Sequence, residues 1–181
     1  MSMIISEKVN RAAKRDILEL NNKIEDLKEG KISEDKFKHF RLTRGVYGQR
    51  QLGVQMVRIK LPYGKITINQ LQKISEASDT FSTGNLHLTT RQDIQLHFVK
   101  LDDSPALWAL LEEEGITLRE ACGNTVRNVT ASSIAGIDPS EPFDVTPYAH
   151  FLADYFLRNP ISQDMGRKIK IAFSSSEKDS A

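Results

Sequence analysis

The sequence predicts an α+β fold organised around a ferredoxin-like split βαβ unit at about residues 54–121. Three observations predict it. Val54–Leu61 and the two halves of Asn85–Phe98 alternate apolar and polar residues with period two, which marks half-buried strands. The segments after Thr67 and after Ser104-Pro105 place apolar residues three and four apart, which marks helices. Their order, with Ile116–Ala121 as a closing strand, is β-α-β-β-α-β.

Ahead of this unit, residues 1–40 read as a helical arm. Ser6 is placed to cap a helix that runs to Lys28, with Gly30 just past its end. Val9, Ala13, Ile17, Leu20, Ile24 and Leu27 give it one narrow apolar stripe, suited to packing on the domain or on a partner. A short polar helix is expected at Glu34–Phe40. Arg41–Gly53, with three arginines and three glycines, reads as a basic loop.

Within the unit, Val57, Ile59 and Leu61 share one strand face, and Met56, Arg58 and Lys60 share the other. Thr67 and Gln70 form a capping box for a helix to about Ser78, with Ile68, Leu71 and Ile74 inward. Asn85–Phe98 reads as two strands joined at Thr90–Asp93. Leu86, Leu88, Ile94, Leu96 and Phe98 are expected on the apolar face. The opposite face carries His87, Thr89, Gln95 and His97, with Arg91 at the turn. That face is either an ordinary solvated sheet face or one suited to an anionic, hydrogen-bonding ligand. The last helix of the unit runs through Leu107, Leu110 and Leu111 to Gly115.

Residues 122–181 differ in character. Cys122–Gly136 is small and polar, with Arg127 as its one charged side chain, and reads as a loop able to hold an anion. Thr146-Pro147 starts a helix containing Tyr148, Phe151, Leu152, Tyr155 and Phe156. Arg167–Phe173 alternates as a strand, with Lys168 and Lys170 on one face. Ser174–Ala181 is polar and supplies no closing turn or cap, so the fold is expected to continue beyond it.

The composition bounds the chemistry. With 39% apolar and 27% charged residues the 181-residue chain is of the soluble globular type. A net charge of +1 gives no global attraction to nucleic acid or membrane, so cationic chemistry must be local. No apolar run reaches membrane-spanning length, and Met1–Ile5 is too short for a signal-peptide core. The lone Cys122 excludes an internal disulfide and any site needing several thiolates, and fits a reducing cytoplasm. The four histidines lack metal-ligand spacing, so no metal residues are assigned. Phosphate-loop, nucleophile-elbow and dinucleotide motifs are absent, as are the strand aromatics of RNA-binding domains with this topology. The scattered cations Arg58, Arg91, Arg127, Lys168 and Lys170 remain. If they converge, their mutual repulsion calls for an anionic ligand.

Four separated motifs carry a family resemblance: Met56–Pro62 (Met-Val-Arg-Ile-Lys-Leu-Pro), Leu88–His97 (Leu-Thr-Thr-Arg-Gln-Asp-Ile-Gln-Leu-His), Cys122–Val129 (Cys-Gly-Asn-Thr-Val-Arg-Asn-Val) and Gly166–Lys170 (Gly-Arg-Lys-Ile-Lys). In this order, over about Arg41–Phe173, the chain resembles the N-terminal part of a sirohaem-dependent nitrite/sulfite reductase. The resemblance implies a ferredoxin-like half-domain at 41–121, followed at 122–181 by the start of an α/β sirohaem and 4Fe-4S domain. It implies six-electron reduction of sulfite to sulfide or nitrite to ammonia, with electrons from ferredoxin or a flavoprotein. Arg58, Arg127, Lys168 and Lys170 would surround the oxyanion. Arg91, Gln95, His97, Asn128, Arg167, Thr90 and His87 would lie near the carboxylate-rich macrocycle. The four cluster cysteines would come from the remainder of the same polypeptide, which leaves the 181 residues inactive alone. Two positions depart from the family pattern. Tyr63 stands where glycine is frequent, and Met165-Gly166 stands where Leu-Pro is common. A different class of reading is a non-redox anion- or tetrapyrrole-binding module of the same fold.

Overall fold

The structure is a computed structural model, described for residues 5–176. Helix α1 (Arg11–Lys28) starts at Asn10, whose Oδ1 accepts the Ala13 amide at 2.9 Å. Ser6 therefore is not its cap. It sits one turn upstream, where its carbonyl closes a turn with the Val9 amide. The stripe Val9, Ala13, Ile17, Leu20 and Ile24 is buried. It packs α1 onto helices α2 (Glu34–Leu42) and α4 (Ser104–Glu112), so the arm rests on the domain.

The expected loop 41–53 contains a strand, β1 (Val46–Gly48), too short for its periodicity to show. It pairs antiparallel with β2 (Val54–Ile59), Val46 opposite Val57. Gly45 makes this possible. At φ +73° a Cβ there would lie 2.7 Å from the Leu118 carbonyl oxygen and 2.8 Å from that of Arg58.

Strands β3 (His87–Leu88) and β4 (Ile94–Lys100) complete an antiparallel sheet of order β1-β2-β4-β3. Helix α3 (Ile68–Phe81) has the full Thr67/Gln70 capping box, but it buries Ile74, Ala77 and Ser78. Ile68 and Leu71, expected inward, are exposed because its first turn lies outside the buried patch. Phe98 also leaves the apolar face. Gln55 pairs with Val99 but Val57 pairs with Leu96, so β4 carries one extra residue. Phe98 absorbs it at φ +61°, and Val99 becomes the buried residue. Leu88 is likewise exposed, at the edge of a two-residue strand.

The closing strand expected at Ile116–Ala121 is reduced to one bridge, Thr117 to Lys60. Farther along β2 its place is held by β1 and by the Arg58 amide bonded to the Gly45 carbonyl. Ile116 and Leu118 are nonetheless buried in the main core with Trp108, Phe37 and Ile59.

The polar stretch read as a loop contains strand β5 (Val126–Ala131), parallel to β6 (Ile169–Phe173). The Asn128 amide nitrogen and the Thr130 hydroxyl are buried here with hydrogen-bond partners. Helix α5 (Thr146–Phe156) turns Ala149 and Ala153 onto Val129 and leaves Tyr148, Phe151 and Tyr155 exposed. Residues 177–181 of the polar tail and Met1–Ile4 lie outside the described residues.

Candidate functional site: a cationic cavity between the two sheets

The turn between β3 and β4 is built by its own side chains. Thr89 Oγ1 accepts the Arg91 and Asp93 amides, both at 3.2 Å, which fixes the loop Thr89–Asp93. Gln92, at φ +59°, bonds the end of β5 twice: Nε2 donates to the Ala131 carbonyl at 2.7 Å, and Oε1 accepts the Ala131 amide at 3.2 Å. Arg91 reaches farther. Its guanidinium donates to Thr130 Oγ1 at 3.1 Å and to the carbonyls of Asn128 (2.6 Å) and Ile171 (3.0 Å). One turn thus fixes the four-stranded sheet to the two-stranded one.

That junction creates a cavity of about 230 Å³ lined by Arg58, Arg91, Asp93, Arg127, Lys168 and Lys170. Arg58 comes from β2, Arg127 from β5, and Lys168 and Lys170 from β6 and the residue before it. The five scattered cations converge. Arg127 is held at its base, Nε donating to the Gly123 carbonyl (2.9 Å) and Nη1 to that of Ala121 (2.7 Å). Burial lowers its pKa, and repulsion from Arg58 acts the same way. Lys168 and Lys170 are exposed.

Asp93 is the residue that sequence reasoning missed. It is 2% exposed and is the one acid in the cavity wall. Burial pushes its pKa up to about 6, although Arg58, whose Nη1 lies 3.9 Å from Oδ2, pulls the other way. Its Oδ1 has no hydrogen-bond partner among the described residues. The available signal was its place directly after Arg91-Gln92, the one acid in Asn85–Phe98.

The remaining candidates sit as follows. Asn128 is fully buried, Nδ2 donating to the Leu61 carbonyl (2.6 Å) and to that of Arg91 (3.0 Å), so its amide serves the junction. Gln95 pairs across the sheet with Arg58 and with His87. In the hydrogen-bonding orientation of its amide, the oxygen accepts Arg58 Nε at 3.0 Å and the nitrogen donates to His87 Nδ1 at 3.3 Å. His87 and His97 stack, with Nδ1 and Nε2 2.9 Å apart. Burial and the neighbouring imidazole lower the pKa of His97. Thr90 and Arg167 are exposed and outside the cavity wall. Lys60, which shares a strand face with Arg58 in sequence, is buried 3.6 Å from the Glu120 carboxylate instead. Cys122 is buried, and that raises its thiol pKa. No group of three or more His, Cys, Asp or Glu able to hold a metal ion occurs among the described residues. Tyr63 adopts φ +44°, the left-handed region that the glycine frequent at this position would enter freely.

This geometry agrees with what the chain is similar to. The nitrite/sulfite reductase ferredoxin-like half domain matches residues 47–114, and the nitrite and sulphite reductase 4Fe-4S domain matches residues 122–181. An assimilatory ferredoxin-dependent nitrite reductase of Haloferax mediterranei is 34% identical over 140 residues, 71% of this chain and 24% of that protein. The chloroplastic ferredoxin–nitrite reductase of Zea mays is 34% identical over 118 residues, 64% of this chain and 21% of that one. A sulfite reductase [ferredoxin] of Mycolicibacterium paratuberculosis is 28% identical over 119 residues, 66% of this chain and 21% of that one. The chain spans about a quarter of the length of these curated relatives. In fold it is similar to the Mycobacterium tuberculosis NirA protein, with a TM-score of 0.75 at 24% identity over 80% of this chain and 30% of that one. With its two matched domains in sequence and its cations gathered at their junction, the chain belongs to the nitrite/sulfite reductase family.

Proposed function

We propose that this chain supplies the oxyanion pocket of a sirohaem- and 4Fe-4S-dependent reductase that takes nitrite to ammonia or sulfite to sulfide. One observation carries the reading: Arg58, Arg91, Arg127, Lys168 and Lys170, far apart in sequence, line a single cavity. Such a cluster is costly unless an anion shares the space. A 230 Å³ cavity has ample room for a three- or four-atom oxyanion.

The residues fit the group as well. Sirohaem is rich in carboxylates, and Arg167, Lys168 and Lys170 offer exposed cations next to one another in the chain. Thr90, Gln95, His87 and His97 add hydrogen-bonding groups near the turn, and Arg91 and Asn128 hold that turn in place. When bound, sirohaem and the cluster would supply electrons. The cluster thiolates are not in this sequence, whose one cysteine is buried. This chain's own side chains do the rest. Arg58 and Arg127 neutralise and orient the anion. Lys168 and Lys170 polarise its bonds to oxygen and pass protons as oxygen leaves as water. The names of the relatives support ferredoxin as the electron donor, and the lone thiol supports a cytoplasmic setting. No helix among the described residues is long and apolar enough to cross a membrane.

Turnover of nitrite and of sulfite with a reduced dye, on the protein expressed from its complete reading frame, tests this. Reduction of one anion is expected, with loss of most turnover in Arg127→Ala. Reduction of neither anion, or near-normal rates in Arg127→Ala, would overturn it.

A further inference from the structure

Asp93 occupies a position that the oxyanion reading does not use. Asp93 is among the residues that line the cationic cavity. It also lines a second, more apolar cavity of about 400 Å³ with Leu61, Tyr63, Leu71 and Leu88. Asp93 is the one ionisable residue shared by the two walls. It is almost wholly buried, and one carboxyl oxygen lacks a partner among the described residues. A buried carboxylate facing cations is explained as their counter-ion. A buried carboxyl with an unpaired oxygen between two cavities has a further use.

We propose that Asp93 is the exchangeable counter-ion and proton donor of the pocket. It is a carboxylate while the pocket is empty, takes up a proton when the oxyanion binds, and gives that proton to an oxygen of the bound anion. The inference rests on the oxyanion reading above. The step balances. The O–H bond of the carboxyl breaks, an O–H bond forms on the nitrite or sulfite oxygen, and the carboxylate returns to pairing with Arg58. It recovers a proton from solvent through the second cavity.

The electrostatics support the exchange. The charged groups facing Asp93 are Arg58 from β2, Lys60 just after it and Arg91 from its own turn. Arg127 on β5 and Lys168 and Lys170 at β6 complete the wall. Cys122 lies close as well, its thiol kept protonated by burial. In the empty pocket desolvation raises the pKa, and Arg58, the Leu61 amide, Lys60 and Arg91 favour the carboxylate against it, which leaves Asp93 titrating at about 6. An added anion opposes the carboxylate and raises that value, so binding takes up a proton near neutral pH.

Nitrite is the probe, because it stays an anion throughout the range tested. Its binding to the full chain is measured by calorimetry from about pH 6 to about pH 8, in two buffers of different ionisation heat. In the wild type, affinity should weaken by up to about tenfold per pH unit, with uptake of up to about one proton per nitrite. In Asp93→Asn the affinity should be flat over this range and the two buffers should give the same heat. That comparison separates Asp93 from Lys60, whose ammonium burial pushes down. An infrared difference spectrum of the wild type on nitrite addition should gain a carboxylic-acid carbonyl band, a readout independent of how the variant folds. An unchanged pH profile in folded Asp93→Asn, or no such band, overturns the inference and leaves the oxyanion reading standing. Failure of the wild type to bind nitrite at any pH overturns that reading, and this inference with it.

Discussion

Arg91 and Asn128 hold each other by a reciprocal exchange. The Arg91 guanidinium donates to the Asn128 carbonyl at 2.6 Å, and the Asn128 amide donates to the Arg91 carbonyl at 3.0 Å. The two residues are 37 positions apart, Arg91 in the β3–β4 turn of one sheet and Asn128 on β5 of the other. The exchange joins the β3–β4 turn to β5, next to the cavity that Arg58, Arg91 and Arg127 line. Replacing Asn128 with Ala leaves the Arg91 carbonyl without its donor and the Leu61 carbonyl with the Gly64 amide alone. Stability should fall by about 1–3 kcal/mol, read as a lower urea midpoint. A midpoint within error of the wild type would show that the exchange is incidental.

Asp93 makes stability depend on pH. Its pKa is raised from the ordinary 3.8 to about 6. Between those values the unfolded chain has released this proton and the folded chain holds it. Stability therefore falls as pH rises through the window and stays lower above it. Asp93→Asn removes the dependence and should gain about 2–3 kcal/mol on the wild type between about pH 4 and about pH 7. Urea titrations at both ends of the window measure the difference, and a constant offset would contradict it.

Lys168 and Lys170 are exposed, so neither should matter for folding. Each charge-assisted contact to an oxyanion contributes about 1.5–3 kcal/mol. Lys170→Ala should therefore weaken nitrite affinity by roughly 10- to 100-fold with an unchanged melting temperature. Equal affinity in the variant would remove Lys170 from the pocket.

Asp16 on α1 ties the N-terminal helix to the end of α5. Its Oδ2 accepts Arg158 Nε at 2.7 Å, and Oδ1 lies 3.7 Å from Arg119 Nη1. Asp16 is itself buried. Asp16→Ala removes one of two acids facing each of these largely buried guanidinium groups, Arg158 keeping Glu112 and Arg119 keeping Glu120, and should cost about 1–3 kcal/mol. Hydrogen exchange should show α1 and the segment after α5 loosening together. Loosening of α1 alone would mean the two are not coupled.

Gly45→Ala should be out of proportion to one methyl group. The position combines a positive φ with two carbonyl oxygens closer than 3.0 Å to the added carbon. A loss of about 2 kcal/mol or more is expected from strain and overpacking. Because the Gly45 carbonyl accepts the Arg58 amide, nitrite affinity should drop in parallel. Unchanged affinity in a folded variant would show that β2 tolerates the shift.

The legible parts were those with local causes. The α3 capping box, the Pro-started helices α4 and α5, the stripe of α1 and the strands β2, β4 and β6 all follow from spacing within one element. Illegible were β1, too short to show a period, and β5, whose buried Asn128 and Thr130 look like loop residues until their partners are known. The bulge at Phe98 was hidden too, because one inserted residue inverts the face expected from there onward, exposing Phe98 and burying Val99. At the site, residue type pointed to the five scattered cations Arg58, Arg91, Arg127, Lys168 and Lys170, and the family resemblance singled out all but Arg91 for the oxyanion. It gave no hint that Arg91 and Asn128 spend their hydrogen bonds on the junction.

What the sequence by itself determined was the set of helices, most strands, and a surplus of cations on strand faces. Those depend on side-chain period and type, which are local. Only the tertiary structure decided that five cations from four separated segments meet in one cavity, that Lys60 pairs with Glu120 instead of joining them, and that Asp93 stands among them. These depend on register and on the crossing of two sheets. Register and crossing are set by long-range hydrogen bonds such as those of Arg91, Gln92 and Asn128, whose partners lie 37 to 80 residues away.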